Sequence, residues 1–413
     1  MCLLQILRGD ILPAQFARFQ KYARYVRTVA GATNIIDYSV FRQLYYFNHE
    51  RPLLPSLRDY CCAGPGSPLS FIYVVPPHLQ ALNLTLSHWS YEIPYPASQV
   101  ALTLRFGSDL TFLSDFKYLA SLDLRGSLCV LDSRLLRILA DMEKLRVLKA
   151  DTVDLSSDFN AALPLVVFHA LEHLSLSADT QHSIHLLSVI STPVLRTLEW
   201  DPSTDVTDIE DYRHFLECLS SKYASSLHGL DLSFQLNRTP PLTTSGYRYI
   251  LDPLLSFHHL RSISITFDLP SPALSLSEND VRDFAKAWPE ATDICLILRC
   301  ATPAPALSSL IHFARHCPNL KSLNLDGLDL GTVSAVDQLD PLPLHRLTHL
   351  SICDNFWDTD PDPVAVAEFL DAVFPHLQLQ DDDPGWRALS WKTHSSRPAV
   401  NSHLRALRLA RQH

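Results

Sequence analysis

His312 and His316 stand four residues apart in a stretch of helical periodicity, and Cys317 follows them. One helix edge could in principle offer all three as metal ligands. A two-histidine zinc hydrolase, however, sets a general-base glutamate directly after the first histidine, and here that place holds Phe313. No fourth ligand lies nearby in sequence, so the pair reads as the polar edge of a helix. Asp358, Asp360 and Asp362 imitate the start of a calcium loop, but Pro363 occupies the place of the turn glycine and Phe369 that of the bidentate glutamate. Asp381, Asp382 and Asp383 run into Pro384, the pattern of a solvated turn. The chain has no phosphate-binding glycine loop, no Gly-x-Ser-x-Gly elbow and no Cys-x-x-Cys pair, and none of its 19 histidines is tied by spacing to a nucleophile and an acid. The triplets Asn83-Leu84-Thr85 and Asn237-Arg238-Thr239 match a glycosylation acceptor, and both are expected to stay unmodified. The expectation is a protein without catalysis, metal or cofactor, with a metal-dependent enzyme built on His312 and His316 as the remote alternative.

What the residues do build is a repeat. An apolar-x-x-apolar-x-apolar phrase starts at Leu57, Leu79, Leu119, Leu145, Leu171, Leu195, Leu227, Leu260, Ala291, Leu320, Leu347, Phe374 and Leu404, with a weaker copy ending Leu102-x-Leu104. Successive starts lie about 20 to 33 residues apart, the spacing of leucine-rich repeats. Because side chains alternate along a strand, the second and third apolar residues of a phrase point inward and the residue between them points out. That middle column reads Asn83, Thr103, Asp123, Lys149, Ser175, Glu199, Asp231, Ser264, Cys295, Asn324, Ser351, Gln378 and Arg408, polar at every place but Cys295. Between phrases, Leu135, Ile138, Leu139 and Met142 fall at i, i+3, i+4, i+7, as do Tyr212, Phe215, Leu216 and Leu219, and Val281, Phe284, Ala285 and Trp288. The same spacing returns at Leu307, Leu310, Ile311 and Ala314 and at Val366, Phe369, Leu370 and Val373.

The fold expected is an α/β leucine-rich-repeat solenoid, a horseshoe-like arc with a parallel sheet on the concave face and helices and irregular segments on the convex face. Its divisions are residues 1–50, an N-terminal helical cap with the stripe Phe16, Phe19, Ala23 and Val26, or else the remnant of a longer helical region; residues 51–380, the repeats; and residues 381–413, a basic tail with a terminal repeat strand. The concave column then becomes the candidate binding surface, with Asp123, Ser175, Glu199, Asp231, Ser264, Asn324, Ser351 and Gln378 as its contact residues.

Composition agrees with an extended core: 413 residues, 47% hydrophobic and 19% charged, with 28 prolines against 11 glycines. The net charge of −10 is unevenly placed. Residues 1–30 hold Arg8, Arg18, Lys21, Arg24 and Arg27 against Asp10, residues 385–413 hold six basic and no acidic residues, and between them lie 23 basic against 43 acidic residues. An acidic body repels phosphate backbones, so nucleic acid is not expected as a ligand. The run Cys2 to Leu7 is too short for a secretory core, and Ala161 to Leu171 is too short to cross a bilayer. Nine cysteines without paired spacing suit a reducing compartment, so a cytoplasmic or nuclear monomer without membrane contact is expected.

The phrase His316-Cys317-Pro318-Asn319-Leu320-Lys321-Ser322-Leu323-Asn324-Leu325 resembles the cysteine-containing repeats of F-box leucine-rich-repeat proteins. Phe16-Ala17-Arg18-Phe19 through Tyr22-Ala23 to Val26-Arg27, Ala285-Lys286-Ala287-Trp288-Pro289, and Asp362-Pro363-Val364-Ala365-Val366 to Phe369-Leu370 resemble the fungal F-box members of that family. The resemblance implies the target-recognition part of an SCF-like ubiquitin ligase receptor, with a protein target on the concave face. An F-box helical module is not read before Phe16, so the resemblance transfers no adaptor-binding residue, and adaptor binding is expected only with an F-box upstream. A scaffold or inhibitor of the same fold without a ligase role is the alternative.

Overall fold

The computed structural model describes residues 11–31, 38–63, 74–85, 110–125, 130–151, 153–155, 165–202, 209–235, 246–268, 276–298, 304–326, 328–331, 345–353, 362–377 and 397–412. The chain divides into two units, Met1–Leu195 and Arg196–His413.

In the first unit, helix α1 (Pro13–Ala23) leads to strand β1 (Thr28–Gly31), then helix α2 (Tyr38–Phe47) and strands β2 (Asp59–Ala63), β3 (Ala81–Thr85), β4 (Ser121–Asp123) and β5 (Val147–Ala150). After the two-residue β6 (Val166–Val167) comes β7 (His173–Leu176), and the two-residue β8 (Ile190–Ser191) pairs with β6. β1 to β5 and β7 form one parallel ladder, each pairing with the next in register. Tyr60, Leu82, Leu122, Leu148 and Leu174 line up as its buried inner column. Helix Ser133–Ala140, capped by Asp132 accepting from the Leu135 N–H at 2.7 Å, buries Leu135, Leu136 and Leu139.

The first apolar residue of a phrase lies just before the strand, in a turn. The N–H of Leu57 bonds the carbonyl of Leu54, that of Leu119 the carbonyl of Phe116, and that of Leu145 the carbonyl of Met142, each at 3.1 or 3.2 Å. The following residue's carbonyl then accepts two N–H groups from the next repeat: the Arg58 oxygen takes Gln80 and Ala81, and the Gln80 oxygen takes Ala120 and Ser121. Both lone pairs are used, so each of these phrases locks the entry of the next strand whatever side chain it carries.

The first repeat comes one strand earlier than the phrase count places it. Residues 1–50, read as a helical cap, hold β1 between two helices, and β1 pairs with β2. Val26-x-x-Val29-x-Gly31 has no leucine and ends in a glycine, which hides it from the pattern. Pro13 occupies the first position of α1, where its missing N–H costs nothing, and Gln15 Oε1 accepts from the Leu12 N–H at 3.1 Å.

The second unit repeats the plan with β9 (Thr197–Trp200), β10 (Gly229–Gln235), β11 (Ser262–Asp268), β12 (Asp293–Ile297), β13 (Ser322–Asp326) and β14 (His349–Cys353), all parallel and in register. Its inner column, Leu198, Leu230, Ile263, Ile294, Leu323 and Leu350, is buried throughout. The same double acceptance recurs at the carbonyls of Arg196, His228, Arg261, Thr292 and Lys321. Helices Ile209–Tyr223, Glu278–Ala287, Leu310–His316 and Pro363–Val373 bury the stripes their spacing predicts, except that Phe313 replaces Ile311 in the core. Aromatic rings fill the space between sheet and helices: Trp200 stacks on Phe215 at 4.2 Å and Phe234 on Phe267 at 4.3 Å. Both units are therefore leucine-rich-repeat solenoid, strands on one side and helices on the other.

The phrase at Leu404 is not a strand. Residues Arg397–Gln412 form a helix that packs on Pro363–Val373. Val400 and Leu404 are fully buried while Leu409 is exposed, the spacing of a helix and not of a strand. Alanine, leucine and arginine, which dominate the segment, are the strongest helix formers. Arg408 thereby leaves the outer column. Its Nε lies 3.6 Å from Oδ1 of the buried Asp371, and its guanidinium donates to the carbonyl of Leu377, which caps the repeat there.

Candidate protein-binding surface

The outward residues of each ladder form registered rows. In the first unit Cys61, Asn83, Asp123, Lys149 and Ser175 lie side by side on consecutive strands. The first four line a depression of about 240 Å³ bounded also by Thr28, Asp59 and Ser121. Asp123, read from the sequence as an open acid, is 8% exposed and already saturated. Its Oδ1 accepts from the Arg125 backbone N–H at 3.0 Å and from Arg125 Nε at 3.1 Å, and its Oδ2 accepts from Arg125 Nη2 at 2.9 Å. Asn83 Nδ2 adds a contact to Oδ2 at 3.4 Å. A forked guanidinium on one carboxylate fixes both groups, so this row carries its own counter-charge. Arg125 escapes sequence reading because it stands two places beyond the middle residue of its phrase, where the repeat prescribes nothing. Ser175 is buried and offers little surface.

In the second unit Glu199, Asp231, Ser264, Cys295, Asn324 and Ser351 share one row. Glu199 and Asp231 stand directly opposite on neighbouring strands, where like charges repel. Asp231 is exposed, and so is Asp293, which opens β12 on the same side of the sheet. No lysine or arginine occurs anywhere in β9 to β14. Within the row the Asn324 amide reaches Cys295 Sγ at 3.3 Å; in the neighbouring row, which holds Asp293, a Cβ on Gly229 would meet Thr197 at 3.2 Å. Gln378 and Thr103 lie outside the described residues.

The residues first weighed for metal chemistry are not brought together. Cys317 turns into the core, where its Sγ donates to the Ala285 carbonyl at 3.3 Å and burial pushes its pKa up to about 12. It stays a thiol, unlike a metal-bound cysteine. His312 faces Glu278 at 3.5 Å; burial lowers its pKa against the pull of that carboxylate, and burial also lowers that of His316. Among the described residues no cluster of three or more histidine, cysteine, aspartate or glutamate side chains is placed to hold a metal. Asp362 caps its helix by accepting from the Val364 N–H at 3.0 Å; Asp358, Asp360 and Asp381 to Asp383 lie outside the described residues. No helix among the described residues is long and apolar enough to cross a membrane.

No protein-family model matches the chain, and no curated protein does. Among solved structures, it is similar to an internalin from Listeria monocytogenes, at 15% identity over 88% of this chain and 89% of that one, TM-score 0.38. It is also similar to a leucine-rich-repeat protein of Leptospira interrogans, at 12% identity over 88% and 98%, TM-score 0.35. At such identities and scores no function passes from them to this chain; the repeat assignment rests on the phrases and on the register of the strands.

Proposed function

We propose that the chain is a protein-binding module whose second-unit sheet face takes a basic protein partner. The observation that carries this reading is the exposure of Asp231 and Asp293 on one side of a sheet whose six strands contain no lysine or arginine. A field of one sign steers an oppositely charged partner. The test is affinity capture with the wild type and with a Glu199→Lys, Asp231→Lys variant, followed by association kinetics of each identified partner across a salt series. The reading predicts basic partners lost from the variant and a rate that falls with salt. Partners retained by the variant would move binding away from this face.

The finer reading is the target-holding part of an SCF-like ubiquitin ligase receptor. It rests on the likeness of the Cys317 repeat and the N-terminal helix to F-box leucine-rich-repeat proteins. Co-purification of a ligase adaptor with the chain tests it. One observation favours the alternative of a scaffold without a ligase role: α1 passes directly into β1 of the repeat ladder, so this helix opens the array and is not set apart from it as a separate module.

A further inference from the structure

We propose that α1 and α2 form a second docking surface, one that takes an acidic protein segment bearing apolar anchors. This goes beyond the sheet face and stands independently of it.

Half of the exposed large hydrophobic side chains among the described residues fall between positions 12 and 47: Leu12, Tyr22, Tyr25, Tyr46 and Phe47. Tyr22 and Tyr25 are 57% and 70% exposed. Scattered apolar residues on a surface need no explanation, but a cluster marks an interaction site. Here the rings connect. Phe19 lies 5.8 Å from Phe16, and Phe16 meets Phe47 edge-on at 4.8 Å, while Gln20 Nε2 donates to Asn48 Oδ1 at 2.8 Å, tying α1 to the end of α2. Tyr22 follows Phe19 by one helical turn. The expected covering stripe buries Phe16 and Ala23 and half-buries Phe19 and Val26, while Tyr22 and Tyr25 beside it stay exposed and are left for another molecule.

Charge selects the occupant. Residues 11–60 contain seven Lys/Arg against three Asp/Glu, whereas residues 61–413 contain 26 against 40. Arg18, Lys21 and Arg24 are exposed, and among the described residues no carboxylate lies within ion-pair distance of them. Aromatic rings that anchor and cations that rim them are the composition of a protein interface. A polyphosphate fits less well. Phe16 is buried and holds Phe47 edge-on, so these rings do not offer stacked faces, and a strand running beyond the patch would meet the acidic remainder of the chain.

The probe is a fluorescein-labelled synthetic amphipathic helix with leucine and phenylalanine at i, i+3, i+4 and i+7 and glutamate elsewhere, titrated against the full chain by anisotropy. Comparison probes are the same peptide with lysine for glutamate and an oligo-thymidine strand. The proposal expects the glutamate peptide to bind and the lysine peptide not to bind. It also expects Arg18→Glu with Tyr22→Ser, and separately Tyr46→Ser, to weaken binding about tenfold or more without lowering Tm. The Glu199→Lys, Asp231→Lys variant should bind this peptide as the wild type does, so failure of the sheet-face reading would be seen separately. Peptide binding indifferent to the α1 and α2 variants overturns the proposal. So does tighter binding of the oligonucleotide, or concentration-dependent self-association abolished by those variants, which would give the patch to a second copy of the chain.

Discussion

The two units share a backbone plan and differ in how their outer faces handle charge. In the first, Asp123 is clamped by Arg125 and stands beside Lys149 in the row. In the second, Glu199 faces Asp231 and no strand carries a cation. The turn, the doubly used carbonyl and the buried column recur in both. Architecture in this fold is thus carried by main chain and inner side chains, and the outer row is free to diverge. The first row clamps its acid with its own arginine; the second presents the exposed Asp231 to a partner.

The largest effects test the sameness of the inner columns. Leu148→Ala in the first unit and Leu323→Ala in the second, each 1% exposed, should each lose about 2 to 5 kcal/mol in urea unfolding. A harmless change in one unit alone would mean that the inner columns are not equivalent. Next in size is Asp123→Asn, which removes the acceptor of a forked guanidinium. With Arg125 45% exposed at its side chain, the loss should be about 1 kcal/mol. No loss would show that the first face is not held by its own counter-charge.

The inner columns were legible because leucine at a fixed spacing is imposed by burial, and burial leaves a period that can be counted. Where burial is achieved otherwise, the pattern misleads. Val29 and Gly31 build a strand with no leucine, and Leu404 and Leu407 satisfy the phrase while serving a helix, because short windows of period two and period 3.6 overlap. The outer row was legible as positions but not as chemistry. Asp123 and Asp231 occupy equivalent places in their phrases, yet only three-dimensional placement shows that Arg125 claims the first. The N-terminal aromatics were legible as a stripe, but which rings stay exposed depends on how α2 meets α1, and pattern alone does not contain that.

A smaller effect concerns pH and sits in the second unit. His345 is buried, its Nε2 donating to the Cys317 carbonyl at 2.7 Å and its Nδ1 accepting from the Leu347 N–H at 3.1 Å. The Nδ1 contact, in which the ring accepts, requires the neutral ring. Burial lowers its pKa below the ordinary value, against the pull of the carbonyl. A histidine with a depressed folded pKa contributes stability that is complete above its unfolded value, about 6.5, and is lost as pH falls below that toward the folded value. The wild type should therefore lose Tm between pH 7 and pH 5, and His345→Gln, which can donate and accept in the same places, should lose less. Equal slopes would remove His345 from the acid response.

The smallest stability effect is also the sharpest test of the contrast between the faces. Asp231→Asn keeps the size and shape of the side chain and removes one of two registered like charges. Asp231 is exposed, so solvent screens the repulsion, and the gain in stability should be at most about 0.5 kcal/mol. Its sign must be opposite to that of Asp123→Asn, because one substitution relieves a repulsion and the other breaks a bridge. The same change should slow association with a basic partner, and the slowing should fade as salt screens the field. A protein that gains stability and loses partner binding from one neutralised carboxylate holds that carboxylate for the partner and not for the fold. Melting curves for both variants, with association rates at low and high salt, decide it: a loss of stability at Asp231 would show that its charge is satisfied within the chain, and the second face would then be as self-contained as the first.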